Sequence, residues 1–207
     1  MTTPVVKQHW EDRYAARGQI WSGRVNAHLE EVAASLTPGR ALDLGCGEGA
    51  DSLWLADRGW QVLGVDISDT ALSRAASEAE ARGLTERVRF MQTDLSVRFP
   101  EGAFDLVSAQ FLQSVVHLDR ERIFTAAAAA VVSGGMLIVV DHAAAPPWAQ
   151  RLHDHVFPTR EDVITSVDLD GRHWDRILVG TVERPAVGPD GQAGILLDNL
   201  VVLRRSL

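Results

Sequence analysis

Cysteine, lysine and tyrosine each occur once in this 207-residue sequence, as Cys46, Lys7 and Tyr14. A single cysteine excludes an intramolecular disulfide. Cys46 lies between two glycines, where a small residue is wanted, and that need explains it better than a thiol activated at a helix start. No apolar run reaches the roughly 20 residues that a membrane-spanning helix needs. The longest, 126–140, is broken by Ser133-Gly134-Gly135. The first twenty residues carry Lys7, Glu11, Asp12, Arg13 and Arg17 and no apolar core, so a cytoplasmic protein without a secretory leader is expected. A formal net charge of −8 argues against a broad nucleic-acid or anionic-membrane surface. The expected partner is a small molecule; composition says nothing about oligomeric state.

What the sequence does have is a glycine-rich turn, Asp43-Leu44-Gly45-Cys46-Gly47-Glu48-Gly49. A short apolar strand, 40–44, enters it, and the pattern predicts a helix over about 48–58 leaving it. Alternate glycines allow a tight turn and remove every Cβ that would hold a ligand away. The helix N-terminus beyond them aims unpaired N–H groups and a positive dipole end at the same spot, which suits a carboxylate or phosphate. Gly45-x-Gly47-x-x-Ala50 also fits a dinucleotide fingerprint, so the turn alone leaves two ligands open.

The acidic residue ahead of a G-x-G-x-G turn resembles motif I of the class I S-adenosylmethionine-dependent methyltransferases. The segment Trp10-Glu11-x-Arg13-Tyr14 with Trp21-Ser22-Gly23 is similar to the start of the small bacterial methyltransferases of the tellurite-resistance and thiopurine type. The resemblance implies S-adenosylmethionine as cofactor, held at its amino-acid end by Asp43, Gly45, Cys46 and Gly47. It also implies a helical lid over 1–36 containing Trp21, for which a core aromatic is the equal alternative. The whole chain, 1–207, is then one domain.

From Asp43 onward strand and helix patterns alternate, predicting a doubly wound α/β fold. Its mainly parallel sheet has helices on both faces. Two apolar segments near the end, 174–182 and 195–203, read as an antiparallel hairpin that completes a seven-stranded sheet. The family resemblance gives the strand order 3-2-1-4-5-7-6. Asp66 ends the second strand about 20 residues after the turn, where a carboxylate accepts the hydroxyls of an adenosine ribose, and Ile67 follows it beside the adenine. Asp94, closing the third strand with Leu95, resembles the family's acceptor for the adenine amino group. Gln110 and Phe111 leave the fourth strand at the switch point, facing the methionine half of the cofactor. Gln113 and His117 are four apart, as on a helical turn, and His117 is the candidate general base. An irregular excursion over 142–160 is the candidate acceptor-selecting loop.

Two rivals stand beside methyl transfer. One is an NAD(P)-dependent oxidoreductase; against it, the sequence has no Tyr-x-x-x-Lys pair. The other is a non-catalytic module that binds S-adenosylmethionine. His142, His153 and His155 lack a second ligand cluster of metal-binding spacing, so no metal is expected. Exhaustive chelation should leave turnover unchanged; activity that is lost on chelation and restored by one metal ion would redirect attention to those three histidines.

Overall fold

Short strands rich in Leu, Val and Ile, each followed by a helix with an apolar face, can bury both faces of a sheet only if the helices divide between them. The computed structural model, which describes residues 4–149, 155–167, 174–188 and 190–207, has this arrangement. Strands β1 (Arg40–Leu44), β2 (Gln61–Asp66), β3 (Val88–Gln92), β4 (Phe104–Gln110) and β5 (Val131–His142) are parallel. β6 (Trp174–Val187) and β7 (Ala193–Arg205) form an antiparallel hairpin, with β7 docked against β5. The order is β3-β2-β1-β4-β5-β7-β6, as the family resemblance implied.

Alternation along the strands divides the core in two. On one face Leu42, Leu44, Leu137, Val139, Val201 and Leu203 meet Ile123 and Phe124 of helix α5 (Arg120–Ala130) and Val163 of α6 (Arg160–Ser166). On the other, Ala41, Ile138, Val140, Leu200 and Val202 meet Leu29 of α2 (Ala27–Ala33) and Leu53 of α3 (Ala50–Asp57). Neighbouring residues of one strand therefore serve opposite cores.

Local details differ from the sequence expectations. The second helix starts at Asn26, whose side chain accepts from the His28 and Leu29 N–H groups, and Ser22 accepts from Arg24 N–H in a preceding turn. Ser133-Gly134-Gly135, which interrupts the apolar run, does not interrupt the fifth strand. It lies inside β5, where the pairing with β4 shifts between Phe104 and Leu106, an irregularity that Gly134 permits at φ 78°. Residues 111–119 form no helix, so Gln113 and His117 share no helical turn. β6 and β7 run past the expected ends, and Pro185 sits on β6, an edge strand that spares it a lost ladder bond. No helix among the described residues is long and apolar enough to cross a membrane.

Helix α1 (Pro4–Ala15) packs on α4 (Asp69–Ala81). The contact is polar: the Glu11 carboxylate accepts from Ser68 Oγ at 3.0 Å, Asp69 N–H at 2.6 Å and Thr70 N–H at 3.3 Å. A side chain from a distant helix thus satisfies orphan donors at the start of α4, beside the Ser68 cap. Glu11→Ala is expected to lower stability by about 1 kcal/mol, the usual cost of a lost helix cap, and a denaturant titration with an unchanged midpoint would contradict this.

Candidate active site

The glycine turn follows β1 and abuts the end of β2. Gly45, Gly47 and Gly49 take φ of 70°, 53° and 84°, the left-handed region that glycine enters without strain. A Cβ on Gly45 would lie 2.6 Å from Leu112 Cδ1, and one on Gly47 2.9 Å from the Tyr14 hydroxyl. The turn is also bonded to itself and to β2. The Gly45 and Cys46 N–H groups donate to Val65 O at 2.8 and 2.9 Å, and Gly49 N–H donates to Cys46 O. Gly47 N–H donates to Asp66 Oδ2 at 2.9 Å. These glycines therefore offer close approach rather than free N–H groups.

Asp66 is almost fully buried. Its second oxygen accepts from Ser68 N–H at 2.9 Å, so the carboxylate joins the turn to the start of α4 while keeping lone pairs for further donors. Burial pushes its carboxyl above the usual range against three backbone hydrogen bonds. Ile67, half-buried, follows directly. Asp94 is half-buried and accepts from Ser96 N–H at 3.0 Å, whereas Leu95 is buried in the core.

Asp43 is aimed differently from its neighbours. It lies on the α3 side of β1 and accepts from Ser52 Oγ at 2.6 Å, which puts it beneath the turn. Burial first, then the Asp51 charge, pushes it up to about 7. Cys46 is half-buried, and burial together with Asp43 and Asp66 pushes its thiol up, opposite to the lowering that a helix start alone would give.

The N-terminal segment closes over the turn. Ile20 and Trp21 N–H groups each donate to Glu48 Oε2 at 3.1 Å, and Arg74 Nη1 donates to Glu48 Oε1 at 2.8 Å. Arg74 Nη2 also donates to the carbonyls of Tyr14 and Arg17, at 2.9 Å each. The Trp21 indole N–H donates to the Tyr14 hydroxyl at 3.1 Å, next to Gly47. At 45% exposed, Trp21 is not a core aromatic. The sequence reading did not single out Glu48 or Arg74; a lone acid inside a glycine turn was the available signal.

At the switch point, Gln110 Nε2 donates to Ser108 Oγ at 2.8 Å while its Oε1 is buried without a partner among the described residues. Phe111 has φ 55°, a strained conformation for a bulky residue. Its ring stacks on His142 at 4.2 Å. His142 is paired across the strands with Asp198 of β7, and Arg184 and His28 face the same carboxylate. His117 is exposed in the irregular segment. His155 packs edge-on against Phe157, apart from the His142 partnership, and His153 lies outside the described residues. Among the described residues no cluster of three or more His, Cys, Asp or Glu has metal-binding geometry.

The strand order, the glycine turn and the acid at the end of β2 are those of the Rossmann-like methyltransferase fold. Residues 41–135 match the methyltransferase domain family. A demethylmenaquinone methyltransferase of Thermus thermophilus is 43% identical over 84 residues, 39% of this chain and 37% of that protein. A tRNA 5-carboxymethoxyuridine methyltransferase of Escherichia coli is 35% identical over 77 residues, 36% of this chain and 30% of that protein. The chain thus spans well under half the length of these curated relatives. Among solved structures, TehB from Haemophilus influenzae superposes with a TM-score of 0.72 at 16% identity, over 95% of this chain and 67% of that one. At that identity the likeness is one of fold.

Asp43 generates a pH prediction. Its folded-state carboxyl titrates about 7 against an ordinary 3.8, so the folded protein holds the extra proton between those values. Stability is then full below the ordinary carboxylate range and is lost as pH rises toward 7. Asp43→Asn should flatten this dependence between about pH 4 and 7, where each unit of displacement corresponds to about 1.4 kcal/mol. Parallel unfolding curves for both proteins across that window would refute it.

Proposed function

We propose that the protein transfers a methyl group from S-adenosylmethionine to a small-molecule acceptor by in-line displacement. The observation that carries this reading is the convergence on one rim of the Cβ-free turn at Gly45 and Gly47, the Asp66 carboxylate and the orphaned Gln110 Oε1. A buried acceptor without a donor needs a partner, and the cofactor's ammonium is a donor of the right kind. The residues present therefore fit the cofactor. Asp66 would take the ribose hydroxyls, Asp94 the adenine amino group with Ile67 and Leu95 beside the ring, and the turn the methionine half. Cys46 contributes small size, and Asp43 steadies the turn from below. Phe111 lies toward the methyl-transfer side, and Trp21 covers the turn.

When bound, the cofactor supplies a methyl carbon already activated by positive sulfur. What remains for the protein is alignment of the acceptor and exclusion of water. The Glu48–Arg74 clamp does the second by holding residues 14–21 across the turn. Relatives act on quinone-type molecules or on RNA by name. The net charge of −8 favours the small molecule, because RNA binding rests on basic surface. The whole chain acts as one unit in this reading, with 1–36 as the lid, in the cytoplasm.

Calorimetric titration should detect S-adenosylmethionine and its demethylated product but not NADH. Asp66→Ala should weaken binding by about 1 to 3 kcal/mol, the range for lost hydrogen bonds to a charged group. Tight NADH binding with no response to the other two would overturn the reading. An unchanged dissociation constant in a folded Asp66→Ala protein would move the ribose contact elsewhere.

A further inference from the structure

The carboxyl rim of β5 and the start of β7 carry a group of side chains that cofactor binding does not use. Asp198 is fully buried and lies in an otherwise apolar strand. Its Oδ1 faces His142 Nδ1 at 3.4 Å, and its Oδ2 accepts from Arg184 Nε at 2.7 Å. His28 Nε2 of α2 lies 3.5 Å from Oδ2. Burial acts to raise the Asp198 pKa, yet it is held below the ordinary value by hydrogen bonds from His142 and Arg184 and by the Arg184 guanidinium. The acid therefore stays ionised.

Among the described residues three contacts fix His142. Gln113 Oε1 accepts from its backbone N–H at 3.0 Å, and Phe111 stacks on its ring with planes 23° apart. Arg184 covers Phe111, its Cζ 5.8 Å from the ring centroid. With Nδ1 turned to Asp198, the remaining ring nitrogen is Nε2. The side chain is 33% exposed, whereas His28 is buried at 9%, so His142 is the one that opens outward. β5 lies two strand intervals from β1, about 10 Å. That is too far to touch the glycine turn and suits an acceptor set against the methyl group.

We infer that His142, oriented by Asp198, is the general base that takes the proton of the methyl acceptor, and that the acceptor is a phenol-class hydroxyl. The inference rests on the methyltransferase reading and names the substrate class of that site. Asp198 accepts from Nδ1–H, which leaves a lone pair on Nε2. In the transfer the acceptor O–H proton passes to Nε2 and the oxygen's electron pair forms the bond to the methyl carbon. The carbon–sulfur bond breaks with its pair going to sulfur. The products are an aryl methyl ether, the neutral thioether and an imidazolium paired with Asp198, which returns its proton to water. Acidity selects the class. Thiols and carboxylic acids ionise unaided, and a neutral amine attacks through its own lone pair. A phenol near pKa 10 needs a base and is within reach of an imidazole near 6.5, while an aliphatic alcohol is far beyond it.

Two measurements test this. Long-range ¹H–¹⁵N correlation on the labelled wild-type protein, without cofactor, should show neutral His142 with its proton on Nδ1; a proton on Nε2 overturns the assignment. His142→Asn keeps a donor toward Asp198 but removes the outward nitrogen. For phenols of graded acidity it should lower kcat/KM by about 10²–10⁴-fold, most for the least acidic, and abolish the acidic limb of the pH–rate profile. Thiophenol turnover and calorimetric S-adenosylmethionine affinity should stay within a few-fold. The groups facing His142 (Asp198, Arg184 and His28) are unchanged in that variant. Equal losses for phenols and thiophenols, or no methylation of any phenol by the wild type, overturn the inference while cofactor binding still supports methyl transfer. Failure of the wild type to bind the cofactor overturns both.

Discussion

Asp66 joins two parts of the chain that the sequence keeps far apart. One oxygen holds the Gly47 N–H of the turn after β1, and the other holds the Ser68 N–H at the start of α4. Without that bridge the glycine turn would keep its bonds to Val65 O and the Gly49–Cys46 bond within it, and glycine is the residue that loses most freedom when ordered. The cost of burying the acid is visible in its raised pKa. Its backbone donors offset part of that cost, because hydrogen bonds to a charged acceptor are stronger than neutral ones.

The N-terminal segment depends on the same place. Glu11 reaches the helix start that Asp66 leads into, and Lys7 pairs with Asp69 at 2.5 Å. Further along, Glu48 gathers the Ile20 and Trp21 N–H groups and Arg74, and Asp51 accepts from Asn26 N–H at 2.7 Å. Glu11, Asp69, Glu48 and Asp51 therefore fasten the N-terminal segment to the turn and to α3 and α4.

Much of the architecture was legible because it follows from periodicity. Alternating strand and helix patterns gave the parallel sheet, and Pro and Gly clusters marked the hairpin. Asp66 was legible because its distance from the turn is imposed by one βα unit. Boundaries that depend on competition between neighbours were not. Ser22 and Asn26 are both good caps, and the Asp51 contact to Asn26 N–H accompanies the choice of the second. His117 was placed on a helical turn by a four-residue spacing that 111–119 does not realise. Asp198 was missed because its strand reads as core. An acid amid Leu and Val, buried on both faces, was itself the signal, since burial of a charge requires partners. Those partners come from α2, β5 and β6, and no local pattern reports them.

β7 runs against its parallel neighbours, so it is its beginning, not its end, that reaches the ligand rim. Asp198 sits only a few residues past the 188–192 turn, opposite Val182 and His142. Side chains on a strand change face with every residue. A slip of one position of β6 along β7 would turn Arg184 to the opposite face and away from Asp198. Gly191, at φ 79°, helps shape the turn that fixes this register. A loop remote from the chemistry thereby sets which side chain the rim receives, much as the first tooth of a zip decides the alignment of all that follow.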